Sequence, residues 1–194
     1  MGLDAPALAE ATVKILNIPN LLSLSRILSV PVFILLMLEP SPIRALTAGI
    51  VFSLASATDW LDGYLARKWG QVTKVGKLLD PIADKILIMS ALVILVELRS
   101  DVVHSWIAIL IIGREFAVTG LRAIASSEGI IIPAESVGKY KVGAQITAVL
   151  CLLLDYYLTL EWLRLLGAFA LWVAMILSVY SAVRYFKTYW KHLN

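Results

Sequence analysis

Four aspartates lie close together in a chain that is otherwise strongly apolar. Asp59 and Asp62 are three residues apart, and Asp80 and Asp84 are four apart, so each pair lies on one helix face if its segment is helical. Carboxylates beside hydrocarbon are costly and usually indicate a functional site. Four converging carboxylates repel each other unless protons, basic side chains or metal ions neutralise them, and hard divalent cations prefer such oxygen ligands. The pattern predicts two antiparallel helices around a divalent-metal site, with helix-end carboxylates paired to lysines as the alternative.

Small and basic residues accompany the aspartates. Gly63, Ala66 and Gly76 would let a ligand or a second backbone approach closely. Arg67 follows Gly63 by about one helical turn and could bind a phosphate with two hydrogen bonds. Lys77 is either a ligand or a residue that fixes membrane topology. Together these residues predict an amphipathic substrate that carries a pyrophosphate.

The elements that position these residues are predicted to be membrane helices. The chain has 194 residues, is 60% hydrophobic and has a mean hydropathy of +0.84, which is typical of a helical membrane bundle. We predict one domain over residues 1–194, preceded by no signal peptide. Residues 1–17 form either an amphipathic segment on the membrane surface or a tail. Six spans are predicted, at residues 21–38, 43–65, 79–98, 106–125, 142–160 and 163–185.

Positive charge predicts the orientation of these spans. With a cytoplasmic N-terminus, 14 of the 17 Lys and Arg residues lie on the cytoplasmic side, and only Arg44, Arg99 and Arg164 lie outside. The four aspartates and both termini are then cytoplasmic. Asp155 and Glu161 fall on the outer side and are expected to be solvated. The two histidines, His104 and His192, lack metal-ligand partners at useful spacing and are expected at the surface, and the lone Cys151 permits no intrachain disulfide.

The acidic segment resembles the signature of the CDP-alcohol phosphotransferases. Its spacing is D-x-x-D-G-x-x-A-R-x8-G-x3-D-x3-D, and every specified position is met. The resemblance implies an all-α subunit of six transmembrane helices, commonly a homodimer. Such enzymes displace CMP from a CDP-linked lipid or alcohol with Mg²⁺ or Mn²⁺.

Four further segments are similar to bacterial phosphatidylglycerophosphate synthases within this family. They are NIPNLLSLSRILSVP at 17–31, LLDPIADKI at 78–86, IIGREFAVTGLRAIA at 111–125 and GKYKV at 138–142. This similarity implies CDP-diacylglycerol and sn-glycerol 3-phosphate as substrates, membrane lipids as surroundings and the bacterial inner membrane as location. No nucleic-acid partner is expected. A phosphatidylinositol-phosphate-type synthase, or another CDP-alcohol phosphotransferase, is the alternative within the family.

The family pattern assigns Asp59, Asp62, Asp80 and Asp84 to two metal ions. We predict that Asp84 also acts as general base on the C1 hydroxyl of the acceptor. The oxygen then attacks the β-phosphorus and CMP leaves. The residues expected around the cytidine diphosphate part are Gly63, Ala66, Arg67, Gly76 and Lys77.

A phosphorylated acceptor needs cations of its own. The candidates are Arg114 and Arg122 on the fourth span and Lys139 and Lys141 at the start of the fifth. Ser23 and Arg26 of the first span are weaker candidates. The alternative for Arg114 is a buried salt bridge, for which Glu115 is the nearest partner.

A cation transporter is the competing class of function, because membrane carboxylates also line ion paths. A transport path places charges near the bilayer midplane, often with repeated broken helices. Here the acids cluster at one surface and the sequence shows no internal repeat. The pattern therefore favours the enzyme.

Overall fold

A computed structural model describes residues 18–69, 74–129 and 137–193, except for the side chains of 18–20, 59–69, 74–81, 84, 137 and 191–193. Within these ranges the chain is entirely helical outside its turns, which confirms the all-α prediction. Each predicted span overlaps one helix, and the predicted N-terminal amphipathic segment, 1–17, lies outside the described residues. The helices are α1 Ile18–Leu38, α2 Pro42–Trp69, α3 Lys74–Leu98, α4 Ser105–Ser127, α5 Val137–Leu158 and α6 Glu161–Leu193.

Three helices are long and apolar enough to cross a membrane, within the described residues. They contain the stretches Leu21–Leu38, Gly138–Leu158 and Glu161–Trp190, and α2 adds a shorter apolar stretch, Pro42–Thr58. Helix α4 is of similar length but carries three charged residues, Arg114, Glu115 and Arg122. Large apolar side chains on the outside of α1, α4 and α6 are highly exposed, as a lipid-facing surface would be. These helices make the chain a membrane protein, and the full set of six spans stays a prediction.

The chain divides into two compact units, Met1–Ser90 and Ala91–Asn194. In the first unit α1 packs against α2. Phe33 and Phe52 meet there with ring centroids 6.0 Å apart, and the buried Ala45 and Ala48 let the two backbones approach closely. Helix α2 begins with a conventional N-cap. Ser41 accepts a hydrogen bond from the Arg44 amide at 3.3 Å, and Pro42 follows directly.

In the second unit α6 is the central helix, with α5 and α4 packed against it. Gly167 of α6 lies directly against α5, where an added Cβ would come within 2.8 Å of Leu152. Gly167 is therefore a helix-packing position, where the missing side chain lets the two helices approach closely. Trp106 of α4 meets Trp172 of α6 edge to face, with centroids 5.5 Å apart.

Helices α5 and α6 are joined by only two residues, Thr159 and Leu160. Thr159 has a φ of 53°, and its amide donates to the Asp155 carbonyl at 2.7 Å. This is the left-handed residue and backbone bond that end many α-helices, here without the glycine that usually occupies the position. The tight turn makes α5 and α6 an antiparallel pair and fixes their relative register.

Candidate active site

The backbone places the four aspartates on two successive helices of the first unit. Asp59 and Asp62 lie in the last three turns of α2, and Asp80 and Asp84 lie in the first three turns of α3. Both segments are helical throughout, so each pair shares a helix face, as the spacing predicts. Four residues, 70–73, separate the two helix ends.

The side chains of these aspartates are outside the described set, as are those of Gly63, Ala66, Arg67, Gly76 and Lys77. Their assignment to metal and CDP-lipid therefore stays a prediction. Among the side chains that are described, no group of three or more His, Cys, Asp and Glu residues could hold a metal ion. The predicted metal site thus has no competitor in the described part of the chain.

A buried charged cluster joins the three helices of the second unit. The Arg114 guanidinium of α4 donates to the Glu115 carboxylate at 2.6 Å, to the Ser178 carbonyl at 2.9 Å and to the Ser181 hydroxyl at 2.8 Å. Lys141 of α5 forms an ion pair with the same Glu115 oxygen. Glu115 thereby holds one cation from α4 and one from α5, and the two serines fix the guanidinium against α6.

Burial makes this cluster different from a surface salt bridge. The side chains of Arg114 and Lys141 are 8% and 7% exposed, and Ser178 and Ser181 are fully buried. Ions in so dry a place need close partners, since desolvation is expensive. The Arg114–Glu115 pair proposed from the sequence as an alternative to ligand binding is present. Because a buried arginine can still bind a phosphate through its remaining donor capacity, the pair does not exclude the acceptor-binding role.

The other two predicted acceptor residues lie elsewhere. Arg122 is exposed on α4, two turns beyond Arg114, and Lys139 is exposed in the first turn of α5. The structure brings Arg114 and Lys141 together and does not bring Arg122 or Lys139 into the same cluster. The four residues were expected to form one pocket, and the described contacts separate them into a buried pair and an exposed pair.

Ser23 and Arg26 of α1, the weaker candidates, are both about 1% exposed. An arginine so deeply buried in an apolar helix is costly unless it is bound by other groups. It lies in the same unit as the four aspartates.

The prediction that Asp155 is solvated is wrong. Asp155 is 4% exposed and forms an ion pair with Arg99, which follows α3 directly. Arg99 lies 56 residues earlier, so no local spacing could have revealed the pair. Glu161 is exposed, as predicted, and so is His104, whereas His192 lies where no side chain is described.

The sequence prediction also missed two polar residues that contact the cluster, Ser178 and Ser181, and a third, Gln145, on the helix face of Lys141. Ser178 and Ser181 look like ordinary polar residues of an apolar helix, and only the fold brings them to Arg114. Gln145 is different, because it follows Lys141 by four residues and therefore shares its helix face. It is 2% exposed. That spacing was the one available signal that Gln145 belongs with the cluster.

Comparison with known proteins identifies the family. A family model described as CDP-alcohol phosphatidyltransferase matches residues 16–180, which include every candidate residue named above. A Bacillus subtilis protein named CDP-diacylglycerol–glycerol-3-phosphate 3-phosphatidyltransferase is 44% identical over 92% of this chain and 97% of its own length. Proteins of the same name from Pseudomonas fluorescens and Rickettsia bellii are 39% and 38% identical, over 92% and 88% of this chain and 93% and 94% of their own lengths.

These matches extend over nearly the whole chain and over nearly the whole of each relative. They include the acidic segment on α2 and α3 as well as the helices that carry the buried cluster. The family predicted from the spacing of eight residues is the family that the whole sequence matches. The chain belongs to the CDP-alcohol phosphatidyltransferase family.

Proposed function

We propose that this protein transfers the phosphatidyl group of CDP-diacylglycerol to sn-glycerol 3-phosphate and forms phosphatidylglycerol phosphate and CMP. The observation that carries the proposal is the 44% identity, over 92% of the chain, to a relative named for this reaction. The complete acidic pattern on α2 and α3 supports it, because the reaction needs a site for a charged diphosphate.

The donor chemistry of the acidic segment fits divalent cations. Asp59, Asp62, Asp80 and Asp84 supply only carboxylate oxygens, which Mg²⁺ and Mn²⁺ prefer over nitrogen or sulfur ligands. The two helix ends are at most ~18 Å apart, since only four residues connect them. We assign two Mg²⁺ or Mn²⁺ ions to these carboxylates. When bound, such ions would neutralise the diphosphate and stabilise the attacking oxygen of the acceptor and the leaving oxygen of CMP.

Asp84 is the residue proposed to move the proton. Its carboxylate takes the proton of the acceptor C1 hydroxyl as that oxygen bonds to the β-phosphorus, which bears diacylglycerol. The bond from the β-phosphorus to the bridging oxygen breaks, and CMP leaves with that oxygen. Asp84 lies one turn beyond Asp80 on α3, so it is placed beside the metal-binding carboxylates.

The CDP-lipid is expected along the facing parts of α2 and α3. Gly63, Ala66 and Gly76 leave room for the nucleotide, while Arg67 and Lys77 supply positive charge for its phosphates. All five lie on helices whose backbone is described. The acyl chains stay in the surrounding lipid.

The buried cluster is the proposed binding site for the acceptor phosphate. Arg114 and Lys141 are fixed by Glu115, so little conformational entropy is lost when they bind a ligand. The exposed Arg122 and Lys139 then attract the acceptor from solution through longer-range electrostatics. The bound phosphate of the acceptor distinguishes this protein from relatives that use an uncharged alcohol.

The membrane arrangement is proposed from the charge distribution. All six helices are taken to span a bacterial inner membrane, with the termini and the aspartates on the cytoplasmic side, where 14 of the 17 Lys and Arg residues fall. A cytoplasmic site matches the water-soluble acceptor and CMP. We further propose a homodimer, as the family resemblance implies.

The buried pair of Arg114 and Lys141 also favours a second candidate acceptor. A buried Arg–Lys pair suits any phosphorylated alcohol, including an inositol phosphate, so a phosphatidylinositol-phosphate-type synthase is the second candidate. A cation transporter would not release CMP at all. The identity of the acceptor is therefore a matter for direct assay.

The test is CMP release by purified protein in detergent with CDP-diacylglycerol, Mg²⁺ and one acceptor at a time. The acceptors are glycerol 3-phosphate, inositol 1-phosphate, free inositol and serine. CMP with glycerol 3-phosphate alone is the expected result. CMP with another acceptor only would change the substrate, and no CMP from folded protein would overturn the enzyme. Replacing Mg²⁺ by EDTA is the matched control and should abolish release.

A further inference from the structure

Gln145 is buried in α5 with an unused hydrogen-bond donor. It is 2% exposed, and its side-chain Nε2 has no hydrogen-bond partner in the part of the chain that the structure describes. Buried polar groups are nearly always paired, because an unpaired donor loses its water without compensation. A buried Nε2 group with no partner among the described residues therefore points to a ligand as its partner.

Ser178 of α6 shows the same property on the opposite helix. Its side chain is fully buried, and its Oγ has no partner among the described residues. Its own carbonyl accepts the hydrogen bond from Arg114 Nε at 2.9 Å. Ser178 thus contacts one cation of the cluster, Arg114, and Gln145 shares a helix face with the other, Lys141.

Both residues lie on the same side of the buried cluster. Along α5, Gln145 is one turn closer to the α5–α6 turn than Lys141. Along α6, Ser178 is about one turn closer to that turn than Ser181, which binds Arg114. Because α5 and α6 are antiparallel, both unused groups are displaced from the ions in the same direction.

We propose that Gln145, assisted by Ser178, binds an oxygen of the phosphorylated acceptor and selects that acceptor. The inference rests on the proposed function and deepens it. The Gln145 amide donates, whereas the Ser178 hydroxyl donates or accepts. The oxygen belongs either to the phosphate or to the C2 hydroxyl, which does not react. A site built to hydrogen-bond a substrate hydroxyl discriminates strongly against an analogue without it, because its own polar groups are then left unpaired.

The experiment compares two acceptors in Gln145→Met, which keeps the side-chain length and removes the donor. The acceptors are glycerol 3-phosphate and 3-hydroxypropyl phosphate, which lacks the C2 hydroxyl. We expect the acceptor KM to rise about 30-fold while kcat and the KM for CDP-diacylglycerol stay within about twofold. If the KM rises for glycerol 3-phosphate alone, Gln145 binds the C2 hydroxyl. If the KM rises equally for both acceptors, Gln145 binds the phosphate.

Binding without turnover provides an independent readout. Glycerol 3-phosphate alone, without CDP-diacylglycerol or metal, should raise the unfolding temperature of the unmutated protein and lose this effect in Gln145→Met. The matched control is Thr147→Val on the same helix, since the Thr147 hydroxyl is exposed and already bonded to the Gly143 carbonyl at 2.9 Å. Ser178→Ala, a smaller change, gives the same test if Gln145→Met does not fold.

The outcomes separate this inference from the proposed function. An unchanged acceptor KM in an otherwise active Gln145→Met protein would overturn the role of Gln145 and leave the proposed reaction standing. Equal changes in both substrate KM values would also overturn it, because they would show a general effect on the fold. Failure of the unmutated protein to release CMP with glycerol 3-phosphate would overturn the proposed function, and this inference with it.

Discussion

Two buried ion clusters of the second unit differ in what surrounds them. One is the pair Arg99–Asp155, in which the side chains are 11% and 5% exposed. The other is the group in which Arg114 and Lys141 share Glu115. The first lies at helix ends, and the second extends from the middle of α4 and α6 to the second turn of α5. Buried ions alone therefore do not identify a binding site in this protein.

The neighbours of each cluster indicate its role. Asp155 also accepts, through its carbonyl, the amide hydrogen bond that ends α5, so the Arg99 pair connects the turn after α3 to the turn after α5. The buried Asp155 Oδ2 atom has Arg99 as its ionic partner, whereas Ser178 Oγ beside the Glu115 cluster, and Gln145 Nε2 one turn along α5 from Lys141, have no hydrogen-bond partner among the described residues. We interpret the first cluster as structural and the second as ligand-binding, and the predictions below test that distinction.

The largest effect on turnover is expected at Asp84, which belongs to neither cluster and therefore gives a scale for comparing them. Asp84→Asn should lower kcat about 10³-fold, because a positioned general base contributes of that order. The unfolding temperature should stay the same, and CDP-lipid binding should persist. Turnover is measured as CMP release, and Asp101→Asn serves as the control because Asp101 is exposed and far along the chain from the acidic pattern. Near-normal turnover would remove Asp84 from the base role.

Asp155→Asn should have the largest effect on stability. It removes the carboxylate from a buried arginine, whose remaining acidic partner among the described residues is the exposed Asp101 at 3.4 Å. We expect a loss of about 3 kcal/mol in the free energy of unfolding. Thermal unfolding in one detergent measures it, and the acceptor KM of the folded fraction should not change. A raised acceptor KM would contradict the structural role.

Arg114→Met should change the acceptor KM more than the stability, the reverse of what is expected for Asp155→Asn. Glu115 keeps its ion pair with Lys141, so the protein should lose less stability than Asp155→Asn does. The acceptor KM should rise about 30-fold, equivalent to roughly 2 kcal/mol, because a charged hydrogen bond to the phosphate is lost. Steady-state kinetics with glycerol 3-phosphate measure this change, and Lys139→Ala tests the exposed cation in the same assay. An unchanged KM in Arg114→Met would place the acceptor elsewhere.

The two clusters also show how far the sequence could be read. The six helices and the aspartate faces follow from local periodicity, which acts over one or two turns. Arg114 was predicted because a charge inside an apolar helix is conspicuous by itself, and its partner Glu115 is adjacent. The Arg99–Asp155 pair and the Ser178 contact depend on helices from distant parts of the chain. The first contact joins the residue after α3 to α5, the second joins α4 to α6, and no local spacing encodes either of them.

The smallest expected effect tests whether burial, rather than charge, makes the Arg99 cluster structural. Arg164 is 40% exposed and lies 3.9 Å from Asp101 and 3.7 Å from Glu161. At such distances and exposure, water and salt screen the attraction, so Arg164→Gln should change the free energy of unfolding by less than ~0.5 kcal/mol. Thermal unfolding of Arg164→Gln and Asp155→Asn under the same conditions measures the difference in stability loss. A loss as large as that of Asp155→Asn would mean that Arg99, Asp101, Asp155 and Arg164 act as one network. The stabilising unit would then include the turn after α3 and the facing ends of α5 and α6, and burial would no longer distinguish the two clusters.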